Sequence, residues 1–193
     1  MSRFLRLLLG CSLMYCSLAA GSVERVTVCF NYGCLSQAEV EFADDQLKAL
    51  QTLLGRATSP AEERQAIGEA VGLLLGWAGQ QSPIAADRGG NYADNAVYGR
   101  MDCIDHSKTT TRLLLLIEKH GWLRFHRVLE PALRTRFLLF QHYSAQIEEL
   151  GPSETGAMPG RFVVDSWFFD NGHPAAVMPL AAWMAGEGPD VDY

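Results

Sequence analysis

Beyond its first twenty residues the chain lacks any apolar run that resembles a membrane span, so contact with a bilayer is expected only through the leader. It also lacks clustered positive charge. Lys and Arg number 16 against 22 Asp and Glu, the formal charge is −6, and the basic residues are scattered. A phosphate-binding face needs Lys and Arg gathered on one surface, so nucleic acid is excluded as a partner. Cys103-x-x-His106 has the spacing of half a zinc site, but no second Cys or His pair follows to complete it. The expectation is no metal and no cofactor. Internal repeats and low-complexity tracts are missing too.

What is present begins with an export signal. Arg3 and Arg6 precede an uncharged, mostly apolar stretch from 7 to 20, and small residues follow. That stretch is 14 residues long, short of the roughly 20 a helix needs to span a bilayer. The predicted division is a signal peptide over 1–20 and one domain over 21–193, periplasmic or secreted. An uncleaved leader, or a lipid anchor at Cys11, is a weaker reading. Cleavage removes two positive charges and no negative ones, taking the formal charge from −6 to −8.

Three cysteines remain in the mature chain, an odd number for a compartment that forms disulfides. Cys29 and Cys34 flank Phe30-Asn31-Tyr32-Gly33, good turn chemistry between two β-favouring runs, and are expected to staple a hairpin or a strand end. Cys103 is then left alone. A free thiol in an oxidising compartment is explained by function or by deep burial.

The rest of the chain reads as α+β. Asp44 to Leu54 has apolar residues on one helical face, and Ser59-Pro60-Ala61-Glu62 is a strong helix start. Ile67, Val71, Leu74, Leu75 and Trp77 follow at core spacing. From Gln80 to Met101 the periodicity dissolves into loop material that runs directly into Cys103. Asp102 to His120 returns to a helix closed by Gly121, with Asp102 as N-cap. Thr109, Thr110 and Thr111 weaken it locally, so burial of Leu113, Leu114 and Ile117 must hold it. Three β-like stretches come next, 122–128, 136–147 and 161–168, with a turn over 151–160 between the last two. A short helix is expected over Leu180 to Ala185, before an acidic tail.

Cys103 falls in the first turn of its helix, where outward-pointing N–H groups favour a thiolate and can receive an oxyanion. Asp102 and Asp105 oppose that charge, so a positive partner is needed. His142 and Asp165 lie on two β-like runs that a turn could pair, and a carboxylate facing an imidazole fixes its tautomer and supports its charged form. Such a histidine can take the thiol proton and return one to a leaving group. Tyr98, Asn95 and Asn91, in the preceding loop, are candidates to complete the oxyanion site. His106, one helical turn from Cys103, is the rival base. Trp167 is core or a shield of the site from water, His173 a turn residue near its rim, and His120 and His126 surface or helix-end residues.

In this order Gly99-Arg100-Met101-Asp102-Cys103, the leucine-rich Leu113 to Ile117, His142-Tyr143-Ser144-Ala145-Gln146-Ile147 and Phe162-Val163-Val164-Asp165-Ser166-Trp167 resemble the transglutaminase-like branch of the papain-like cysteine hydrolases. The likeness covers about Tyr98 to Phe169. His120-Gly121-Trp122-Leu123 departs from the family's usual turn after the nucleophile helix, and Tyr143 from the residues usual after the histidine. The resemblance implies a nucleophile helix packed on an antiparallel sheet, here with extra N-terminal helices, and a Cys103–His142–Asp165 triad. It implies a bacterial, exported thiol hydrolase or acyltransferase acting on a peptide, protein or cell-wall amide through a thioester. The competing reading is an idle domain of the same fold that binds protein or cell-wall peptide.

Overall fold

The computed structural model describes residues 23–90, 94, 96–137, 139–151 and 160–189. The expected leader, Asn91, Asn95 and most of the 151–160 turn lie outside them. Among the described residues the architecture is mixed α+β, with four helices and two antiparallel sheets. β1 (Glu24–Phe30) and β2 (Ser36–Phe42) form a hairpin, followed by α1 (Asp44–Gly55) and α2 (Pro60–Gly79). A 3-10 turn, Pro83–Ala86, breaks the long loop before α3 (Cys103–Lys119). The second sheet runs in the order β3 (His126–Arg136), β4 (Phe140–Glu149), β5 (Arg161–Asp165), β6 (Ala176–Pro179), and α4 (Leu180–Ala185) follows. No helix among the described residues is long and apolar enough to cross a membrane.

Local chemistry accounts for most of these boundaries. Ser59 caps α2 by accepting the Glu62 N–H, with Pro60 in the first turn, where a missing N–H costs nothing. Leu113, Leu114 and Ile117 of α3 are fully buried, each worth roughly 1.5–3 kcal/mol against exposure. Thr109 and Thr110 are ties rather than defects. The Thr109 hydroxyl accepts the Cys29 N–H at 2.9 Å, fastening α3 to β1, and Thr110 meets Ser166 at 2.9 Å, fastening it to the segment after β5. Cys29 and Cys34 are joined, as the turn chemistry between them predicts.

Two expectations need correction. The sequence pattern puts the first two β-like stretches at 122–128 and 136–147, yet β3 runs through the residues between them, including Pro131. β3 is an edge strand, and a register shift between Leu129 and Ala132 absorbs the proline, whose missing N–H faces no partner there. His126, expected at a surface or helix end, is buried at 1% exposure. Its Nδ1 lies 2.8 Å from Glu63 of α2, which also accepts the Arg124 and Phe125 N–H groups. Burial pushes the Glu63 carboxyl up, but His126 and those two N–H groups outweigh it and hold the carboxyl below its ordinary value.

The disulfide closes a short loop, and opening it restores entropy to the unfolded chain alone. The Cys29→Ala/Cys34→Ala double variant should lose about 2 kcal/mol in urea denaturation. A loss well under that would mean the folded loop also loosens once the disulfide is opened, its other contacts failing to hold it.

Candidate functional site

The site is assembled at the start of α3. Asp102 is the N-cap, and its Oδ1 accepts the Ile104 and Asp105 N–H groups at 3.0 and 2.9 Å. Cys103 is the first helical residue, and its half-buried thiol is the free cysteine among the described residues. Asp105 points the other way. Fully buried, it accepts the N–H groups of Tyr32 at 2.8 Å and Cys34 at 2.6 Å, while Asp102 Oδ2 accepts that of Gly33 at 2.9 Å.

These bonds explain the β1–β2 loop. Asn31, Tyr32, Gly33 and Cys34 all have left-handed backbone, with φ between 62° and 68°. For the three residues with a Cβ that conformation costs about 1–2 kcal/mol each. It turns three successive N–H groups toward the two carboxylates at the helix start, and the disulfide closes the loop around them. The negative charge expected to oppose a thiolate at Cys103 is thereby directed into hydrogen bonds. Burial, and then the neighbouring Asp102 charge, push the Asp105 carboxyl up to about 6 against the opposing pull of its N–H donors.

His142 and Asp165 come from the neighbouring strands β4 and β5. The register pairs Ala145 with Val164, so continuing it sets Asp165 across from Ser144, two residues along from His142 and on the same face. His142 Nε2 lies 2.7 Å from Asp165 Oδ2. Asp165 is 1% exposed, and its oxygens also receive the Trp183 indole N–H at 3.0 Å and the Trp167 backbone N–H at 3.2 Å. The imidazole sits among Trp167, Trp183 and Phe168, with ring centroids 5.1, 5.6 and 5.9 Å away. Burial works against charging this ring. Hydrogen bonds to Asp165 and to Cys103, and the charges of both, prevail and raise its pKa to about 9.

Cys103, His142 and Asp165 are therefore brought together, with the first two on the wall of a cleft of about 550 Å3. Trp167, 8% exposed, lines the same cleft beside the imidazole. The other candidates among the described residues lie elsewhere. Tyr98 is largely exposed, packs edge-on against Phe30 and is not on the cleft wall. His106, the rival base, is buried with Nε2 3.0 Å from Asp87 and Nδ1 2.9 Å from Ser166, a pairing that ties the pre-helix loop to α3. His173 is exposed in a turn away from the cleft, and His120 ends α3, stacked on Trp122. Among the described residues, the group of side chains close enough to share an ion is Cys29, Cys34 and Asp105, whose two sulfurs are already bonded to each other.

Sequence reasoning missed Trp183, Tyr32, Arg134 and Arg136. Tyr32 lines the cleft and donates its hydroxyl to Asp94; burial, and then that bond, push its pKa up to about 12. Trp183 is fully buried on the six-residue α4. One indole in so short an apolar helix carries no periodic signal.

Comparison of the chain with family models, curated proteins and solved structures gives no match.

The unfolded imidazole titrates near 6.5 and the folded one near 9, so the folded state holds the proton more tightly. The stability this contributes is complete below pH 6.5 and is lost as pH rises through 9. The gap in melting temperature between the parent chain and His142→Gln should narrow across that window. A gap that stays constant or widens contradicts the assignment. Trp183→Phe removes the N–H that competes with the imidazole for the Asp165 carboxylate, leaves more of its charge facing the ring, and should raise the His142 titration point.

Proposed function

We propose that this chain is an exported cysteine hydrolase or acyltransferase of transglutaminase-like kind, acting on amide or peptide carbonyls through a thioester. The observation that carries the reading is the relay from the Cys103 thiol through His142 to the buried Asp165. A helix that presents its first residue to an antiparallel sheet bearing the base and the carboxylate supports the papain-like comparison. The Cys29–Cys34 disulfide and the export-signal pattern of residues 1–20 support placement in the periplasm or outside the cell.

The chemistry follows from the geometry. Nε2 of His142 is engaged by Asp165, leaving Nδ1 for the thiol. With the imidazole charged, Cys103 acts as a thiolate and attacks the carbonyl carbon, and the electron pair of the C=O bond moves to oxygen. As the first residue of α3, Cys103 has a backbone N–H with no intrahelical acceptor, available to that oxyanion. The tetrahedral adduct collapses, His142 gives its proton to the departing amine, and a thioester remains. Water, deprotonated by the now neutral imidazole, releases the acid; an amine in its place gives transfer. Water at bulk concentration in an exported setting favours hydrolysis.

The test is labelling by a peptide-like electrophile directed at thiolates. Cys103→Ala should abolish labelling of the mature chain, and His142→Ala should slow it by about 100-fold. Labelling of His142→Ala at the parent rate, or a thiol that reacts only after unfolding, would leave a binding domain of the same fold as the better account.

A further inference from the structure

We propose that the cleft selects amide substrates carrying a carboxylate one or two residues from the bond attacked, and that Arg136 binds that carboxylate. The inference rests on Cys103 being the nucleophile. Arg134 and Arg136 are two apart on β3 and so share a face, and both lie on the cleft wall. The register sets Arg134 directly across from His142, and Arg136 across from Phe140.

The two arginines differ in what holds them. The Arg134 guanidinium donates to the carbonyls of Trp183 at 2.7 Å and Glu187 at 3.0 Å, and lies 4.6 Å over the Trp183 ring. It braces the indole that in turn holds Asp165. Arg136 is exposed, rests against Gly186 at the end of α4, and forms no ion pair with any described carboxylate. Asp102, the acidic residue on the same wall, already has both oxygens occupied by backbone N–H groups. With two guanidinium groups against one hydrogen-bonded carboxylate, the cleft of an acidic chain is cationic on balance, and a concave wall of net positive charge draws in anionic ligands.

Position sets the substrate. Two residues along a strand are about 7 Å, so Arg136 is displaced by that distance from the point opposite His142. A peptide covers the same distance in about two residues. Phe137 and Phe140, 78% and 70% exposed, flank the guanidinium and offer apolar surface to the methylenes of a side chain. A glutamate-like side chain and a free C-terminal carboxylate both meet these requirements, and a guanidinium pairs with either in the same planar, two-pronged way.

Matched electrophiles separate the possibilities. The folded chain is treated with iodoacetyl-glutamate α-amide and iodoacetyl-glutamine α-amide, and separately with iodoacetyl-glycine and iodoacetyl-glycinamide. The rate at Cys103 is followed by peptide mass spectrometry. In at least one pair the anionic member should react about tenfold faster, the scale of one charge-assisted hydrogen bond. The pair that shows the advantage identifies the carboxylate as side-chain or terminal. Arg136→Gln should bring the ratio close to one at an unchanged melting temperature, Arg136→Lys should keep part of it, and added salt should erode it. Ratios near one for both pairs in the parent chain, or an advantage that survives Arg136→Gln, overturn the proposal. The neutral probes locate the fault. If they react quickly with the parent and slowly with His142→Ala, the thiol chemistry stands and only the carboxylate site is lost. If they react at the rate of a free thiol in both, the nucleophile assignment fails and this inference fails with it.

Discussion

A buried carboxylate must keep its charge for the rest of this site to have meaning. Asp165 is shut away from water, where an unpaired charge would be neutralised or would cost several kcal/mol. It avoids this by collecting three hydrogen-bonding partners: the His142 ring, the Trp183 indole and the Trp167 backbone. Those partners come from β4, α4 and the turn after β5, so one acidic group ties together three parts of the second sheet's surroundings. The same interaction governs the histidine. A ring enclosed by three aromatic side chains would ordinarily lose its proton, and it retains it because Asp165 and Cys103 face it.

The other half of the site depends on a second use of carboxylates. Asp102 and Asp105 lie on either side of Cys103 at a helix start, where negative charge favours the helix dipole but disfavours a thiolate nearby. The left-handed loop from Asn31 to Cys34 resolves the conflict by presenting its N–H groups to both. The disulfide, the hairpin and the helix cap are therefore one structural unit. It brings Tyr32 to the cleft wall and keeps the thiol half-buried beside the His142 imidazole of β4.

Features governed by near neighbours along the chain are legible in the sequence alone. The Ser59-Pro60 helix start, the Asp102 cap, the cysteine-closed turn and the leucine-rich α3 each depend on residues within a few positions, and each stands where expected. Cys103, His142 and Asp165 stand out because each lies in a distinctive local run. Long-range register is not legible in this way. The continuity of β3 through Pro131 depends on its edge position and a bulge; the burial of His126 depends on Glu63, sixty-three residues away. β6, the role of Trp183 and the placement of Arg134 and Arg136 on the cleft wall likewise follow from strand pairing, which leaves no signature in a four-residue run or a lone indole.

The central claim is that His142 stays protonated near neutral pH because Asp165 and Cys103 flank it. Nitrogen NMR of the His142 ring, followed as pH rises, tests it most directly. The ring should remain an imidazolium until pH approaches 9 in the parent chain. It should titrate well below that in both Asp165→Asn and Cys103→Ala. A ring in the parent chain that loses its proton near 6.5, the value of a free histidine, would contradict the account.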